Sequence, residues 1–231
     1  MISSRTCPTL AALVAALALA PCKSAAQGAT HSTPAPQPTA SEQGEQAAIA
    51  RARADSVRRP YTDADVAFMS GMIHHHAQAI VMAQWAPTHG ASPSVQTLAA
   101  RIINAQRDEI ATMQQWLRDR NKPVPEASPT GMKMKMGGME HEMLMPGMLT
   151  AEQMKQLDGA RGADFDRLFL SFMIQHHRGA VSMVKDLFET YGAAQDELVF
   201  KLANDVNVDQ TTEIARMQKM LLAVTLGSNE P

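Results

Sequence analysis

Between residues 61 and 222, stretches with apolar residues at helical spacing alternate with short polar breaks, and the stretches come in two related sets. Phe68-Met69-Ser70-Gly71-Met72-Ile73-His74-His75-His76-Ala77-Gln78-Ala79-Ile80-Val81-Met82 returns as Phe169-Leu170-Ser171-Phe172-Met173-Ile174-Gln175-His176-His177-Arg178-Gly179-Ala180-Val181-Ser182-Met183. Further on, Gln106, Glu109, Ile110, Met113 and Leu117 recur as Gln210, Glu213, Ile214, Met217 and Leu221. Positions three and four apart share a helix face, so each copy predicts two amphipathic helices. A single hairpin of this kind would leave its apolar stripe in water. The two copies are therefore expected to share one core, as an all-α, up-down four-helix bundle.

The breaks set the limits. Thr62 can cap a helix over 62–86, with Asp63 and Asp65 favoured in the first turn, and Pro87 and Gly90 end it. Ser92-Pro93 opens a second helix that reaches about Asp119, before Asn121 and Pro123. Thr150-Ala151-Glu152-Gln153 is a capping-box pattern for a short helix ending near Asp158. A long helix over 164–191 stops at Gly192, and the last covers 195–224. The bundle then occupies 60–225, with hairpins at 62–120 and 150–225 joined by a linker at 121–149. Asp164 and Asp166 are expected to support the start of the third long helix, and Trp85 and Trp116 to pack at helix ends.

Before the bundle the pattern changes. Arg5 followed by the apolar run 10–20 has the length and charge of an export signal, and Ser24-Ala25-Ala26 predicts cleavage near Ala26. Leu19-Ala20-Pro21-Cys22 offers a lipoprotein alternative, weakened by Pro21. Residues 27–59 carry few large apolar side chains and read as a disordered tether, with 51–59 able to fray into helix. A periplasmic or secreted location follows, with no membrane span once the signal is removed. The two cysteines, Cys7 and Cys22, both lie in the signal region, so the mature chain holds no disulfide and any soft-metal site must use Met and His. The formal net charge is −2 with no basic stripe, which argues against nucleic acid as a partner.

The shared residues include more than core formers. Met72, His75, Ala79 and Met82 form one helical row with His76 beside it, and Met173, His176, Ala180, Met183 and His177 repeat it. Glu109 and Met113, and equivalently Glu213 and Met217, lie on one face of the partner helices. A lone histidine on an apolar face is more often a hydrogen-bonded core residue, and an isolated Glu is often solvated. Two matched sets of His, Met and Glu point instead to a metal. An inward carboxylate needs such a partner, or an imidazole N–H to hold. His31 and His89, in a tether and a turn, receive no role.

Seven of the 17 methionines cluster in the linker: Met132, Met134, Met136, Met139, Met143, Met145 and Met148, with His141 among them. Thioethers are neutral, soft donors that favour Cu(I), or Ag(I) as its mimic, over hard cations. Glycines and Pro146 make helix unfavourable here, so a flexible loop wrapping an ion is expected; a merely oxidisable linker is the alternative.

The quoted His-His and Gln-x-x-Glu segments resemble the family named domain of unknown function 305, over roughly 61–222. The resemblance implies a ferritin-like four-helix bundle, exported and linked to copper binding and resistance. It carries ligand roles onto Met72, His75, His76, Met82, Glu109 and Met113, with Gln106, and onto Met173, His176, His177, Met183, Glu213 and Met217, with Gln210. His74 is an additional histidine. The expected function is sequestration or relay of Cu(I) or Cu(II), without substrate chemistry, in exchange with other copper-handling exported proteins. Two alternatives stand: a di-iron or di-manganese oxidase, which wants more carboxylates and Glu-x-x-His pairs than are present, and a bundle whose polar core only fixes register.

Overall fold

The computed structural model describes residues 39–58, 60–136 and 139–227, and those from Ala40 onward belong to one compact unit. The export signal, the lipoprotein alternative, both cysteines and His31 lie outside the described residues. Four long helices make the body: α2 (Asp63–Gln84), α3 (Pro93–Asp119), α5 (Gly162–Glu189) and α6 (Glu197–Leu226). The chain also forms α1 (Ala40–Arg58), a short α4 (Ala151–Gly159), and strands β1 (Met132–Met136) and β2 (Met139–Met143). Helix α2 packs on α3, α5 packs on α6, and the hairpins meet through α2 and α5. Every residue of 71–79 is buried, because α2 is covered from two sides.

Capping chemistry fixes where the helices begin. Thr62 and Asp65 form a capping box at α2, as do Thr150 and Gln153 at α4. Asp65 and Asp166 hold equivalent positions in the repeat and tie the hairpins together. Ala194 N–H, in the turn after α5, donates to Asp65 Oδ1 at 2.7 Å. Ser92 N–H, in the turn after α2, donates to Asp166 at 3.2 Å. Asp166 therefore serves the other hairpin's turn rather than its own helix start. At the same end as Ala194, Asp196 caps α6, accepts from Trp116 Nε1 at 3.2 Å, and pairs with Arg120, whose guanidinium lies 4.3 Å over the Trp116 ring. Trp116 is thus more than a packing residue.

Two segments differ from expectation. Ala40–Arg58 is helical although its composition reads as a tether. Alanine, glutamate, glutamine and arginine favour helix without tertiary support, and its described side chains are exposed. The methionine linker is not a structureless loop: β1 and β2 pair antiparallel, Met132 opposite Met143, Met134 opposite His141 and Met136 opposite Met139. The alternate positions pair Lys133 with Glu142 and Lys135 with Glu140.

Candidate metal centre

His75 and His176 occupy equivalent places on the two central helices. Their rings meet with centroids 3.8 Å apart, 38° from parallel, and both are fully buried. One residue further on, about 100° around each helix, His76 and His177 turn toward the outer helix of their own hairpins. Their ring centroids stand 6.2 and 6.3 Å from those of His75 and His176. Glu109 on α3 and Glu213 on α6 meet them: His177 Nε2 donates to Glu213 Oε2 at 2.7 Å, and His76 Nε2 lies 2.8 Å from Glu109 Oε2. The second contact has ion-pair distance without hydrogen-bond alignment. The result is a buried layer of four imidazoles with a carboxylate at each outer edge.

The partners assign the ring protons. His75 Nε2 lies 3.1 Å from the Pro146 carbonyl, which can only accept, so Nε2 carries the hydrogen and Nδ1 keeps its lone pair. Glu213 does the same for His177. Six buried ring nitrogens have no hydrogen-bond partner: Nδ1 of His75, His76, His176 and His177, and Nε2 of His76 and His176. A buried polar atom left unpaired costs about 1–3 kcal/mol. Four such rings in one layer fit a site for a cation, with Glu109 and Glu213 offsetting its charge. Burial holds the His75 and His176 rings well below the usual imidazole range, and the neighbouring histidines push the same way. Burial also lowers His177, opposed by its bond to Glu213. At neutral pH His75 and His176 are therefore unprotonated, the state that binds metal.

The six bundle methionines do not gather at one point. Met72, Met113 and Met183 are in one apolar cluster, while Met173, Met217 and Met82, their equivalents in the repeat, are in the other. Each set draws on both hairpins, so the duplication produces two related thioether groups. Among the described residues, no three His, Cys, Asp or Glu side chains are grouped to chelate an ion.

The linker is fastened to this layer. Gln78 accepts from Leu149 N–H at 2.6 Å and donates to the Pro129 and Leu149 carbonyls, both at 3.0 Å. His74 Nδ1 lies 3.3 Å from the Ser128 carbonyl, and Gln175 donates to the Gly147 carbonyl at 3.3 Å. Pro146 and Gly147 cross α5 at Gly179, where a Cβ would stand 1.9 Å from the Pro146 oxygen. Met145 rests over Gly71, its sulfur 3.0 Å from where a Cβ would be. Met148 is buried, Met132 half-buried and Met143 exposed; the side chains of Met134, Met136, Met139 and His141 lie outside the described residues. Gln78 and Gly179 had drawn no attention in the sequence, although both stand where the two copies disagree.

Fold and site together define a helical bundle with a histidine layer at the meeting of two related hairpins. The chain belongs to the DUF305 family, the domain of unknown function whose model matches residues 65–221. It is similar to a DUF305 protein from Streptomyces coelicolor, described as a candidate secreted protein, at 30% identity over 73% of this chain and 96% of that one, with a TM-score of 0.58. It is also similar to CopM in its Cu(II)-bound form (31% identity, 68% of this chain and 95% of that one, TM-score 0.52). CopM in its Cu(I)-bound form aligns at 29% identity over 70% and 96% of the two chains, with a TM-score of 0.51. A shorter match, 38% identical over 56 residues, is to an uncharacterized protein of Acanthamoeba polyphaga mimivirus; it spans 24% of this chain and 37% of that protein. Among the described residues, no helix is long and apolar enough to cross a membrane.

Proposed function

We propose that this chain is an exported copper-binding protein that sequesters or relays Cu(I) or Cu(II) and supports copper tolerance without catalysing a reaction. The observation that carries the reading is the buried His75–His176 pair, whose ring nitrogens lack partners and whose neighbours His76 and His177 are backed by Glu109 and Glu213. Neutral imidazoles and thioethers suit a soft ion of low charge. The likeness to CopM in its Cu(I)- and Cu(II)-bound forms supports the same reading. The Met and His residues of the β1 and β2 strands offer a second, weaker set of soft donors, suited to capture or hand-over to other exported copper carriers.

Anaerobic titration with Cu(I), and aerobic titration with Cu(II), test this on the whole chain and on a variant with His75→Gln, His76→Leu, His176→Gln and His177→Leu. The expected result is loss of the tightly held copper while weak binding at the hairpin persists. Unchanged stoichiometry in a folded variant overturns the reading. Ferroxidase turnover on Fe(II) supports the di-metal oxidase in its place.

A further inference from the structure

The outer helices α3 and α6 are separated by a cleft that leads to the histidine layer. Two cavities of about 440 and 140 Å³ lie along it and share Ala105, Glu109 and Asp209 in their walls. The smaller is lined also by Gln106, Gln210 and Glu213. Both glutamines are almost fully buried, yet neither amide atom of Gln106 has a partner, nor has the carbonyl oxygen of Gln210. A sealed core would not keep them unpaired, since each such group costs about 1–3 kcal/mol. A hydrated cation passing between them would use those oxygens.

The charges point the same way. Asp209 has no hydrogen-bond or ion-pair partner among the described residues, and it feels Glu109, Glu213 and Asp205, with Arg101 opposing. Partial burial first, and then these three carboxylates, push its carboxyl above the usual range. Asp205 is held by Lys201, whereas among the described residues Asp209, in the walls of both cavities, and Asp108, in the wall of the larger, have no ion pair. The equivalent of Asp209 in the other copy is Ala105, whose small side chain leaves the passage open. Glu109 and Glu213, 15% and 17% exposed, line the cavity on one side and touch His76 and His177 on the other. Carboxylate and amide oxygens thus line the cleft, and Glu109 and Glu213 join it to the imidazoles.

We propose that the cleft between α3 and α6 is the entry port of the histidine layer for hydrated cations, with Asp209 as the capturing charge. The proposal rests on the histidine layer being a metal site. Arg101 and Lys201 also stand in the walls, but five carboxylates (Asp108, Glu109, Asp205, Asp209 and Glu213) outnumber them, and a cleft of net negative charge speeds capture of cations, more so at low salt.

Quench-flow uptake of silver(I) nitrate by the full chain, at low and high ionic strength, tests this with Asp209→Asn, Asp209→Lys and Ala105→Phe. Melting curves confirm that each variant folds. Uptake at low salt is expected to slow about tenfold for Asp209→Lys, less for Asp209→Asn, with a flatter salt dependence in both. Ala105→Phe is expected to slow uptake at all salt concentrations, and silver stoichiometry to reach the wild-type value at long times in all three. Uptake rates within twofold of wild type in every folded variant overturn the port while leaving the site standing. Silver uptake indifferent to loss of the four histidines, or no uptake at all, overturns both.

Discussion

His75 and His176 stand at the same place in the two halves of the chain, and their rings stack at 3.8 Å between centroids with no water-exposed edge. Such a pair tolerates one proton badly and two worse. The apo protein is therefore expected to be acid-sensitive in a narrow window. Both rings titrate well below their ordinary value of 6.5 when folded, and His177 is lowered as well. A depressed folded pKa gives stability that is fully present above 6.5 and lost as pH falls, because the unfolded chain takes up protons that the folded one refuses. Each such histidine costs at most about 1.4 kcal/mol of stability per pH unit between 6.5 and its own folded value. Melting temperatures measured from pH 8 to pH 5 should stay level at first and then fall steeply. In the folded double variant His75→Leu, His176→Leu, the fall should be shallower; an unchanged slope would assign the acid sensitivity elsewhere.

Gly179 reports how closely the linker is pressed on α5. A Cβ there would sit 1.9 Å from the Pro146 oxygen and 2.6 Å from Gly147 Cα, both backbone atoms that cannot swing away. Gly179→Ala is expected to cost about 1–3 kcal/mol, the usual range for overpacking, despite alanine's better helix propensity. Gly159→Ala, with nothing within 4 Å, is the control and should be neutral or slightly stabilising. Urea unfolding of the two variants decides this.

The agreements between the two copies pointed in the sequence to the buried layer, whereas their disagreements drew no notice and only the structure shows them as points of attachment. His75, His76, Glu109 and their equivalents repeat because both hairpins build one layer. Gln78 opposite Gly179, His74 opposite Gln175, and Gly71 opposite Phe172 break the repeat where the single linker must be held, and a single linker cannot be symmetric. The hairpin was less legible. Met-Lys-Met-Lys-Met has a period of two, but lacks the β-branched and aromatic residues that usually mark strands. Its register becomes visible only once β1 and β2 are paired. Asp209 carried no signal, since an aspartate on a polar helix face reads as solvated; only the separation of α3 from α6 gives it a place. The partition of the methionines between two clusters is equally a tertiary fact, as helical spacing aligns residues on one helix and says nothing of which neighbour they meet.

Gln78 makes three hydrogen bonds to linker backbone within the core. Gln78→Leu keeps the volume and removes all three, leaving Leu149 N–H and two carbonyls without their partner. The expected effect is local before it is global. Limited proteolysis should cut within 121–149 at least several times faster than in wild type, while far-UV circular dichroism still shows the native helices. Equal cleavage rates would mean the linker is held chiefly by Pro146, Gly147 and the burial of Met148.

Glu213 and Glu109 differ in a way that copper affinity should reveal. The Glu213 carboxylate accepts an aligned hydrogen bond from His177, whereas Glu109 lies as close to His76 but out of line. A carboxylate behind an imidazole fixes its tautomer, raises its basicity and offsets the charge of a bound ion. Loss of such a partner typically weakens metal binding by about 10–100-fold. Glu213→Gln retains an acceptor for His177 Nε2–H but removes the charge, so it isolates the electrostatic part. Glu213→Ala removes both. Competition titrations with Cu(I) should place Glu213→Gln between wild type and Glu213→Ala, with the corresponding Glu109 variants losing less. Nitrogen-15 spectra of the apo chain supply the second readout: His177 should keep its proton on Nε2 in wild type and in Glu213→Gln, and lose that preference in Glu213→Ala. If all four variants bind copper as tightly as wild type, the carboxylates serve only the fold, and the charge of a bound ion must be offset by other groups.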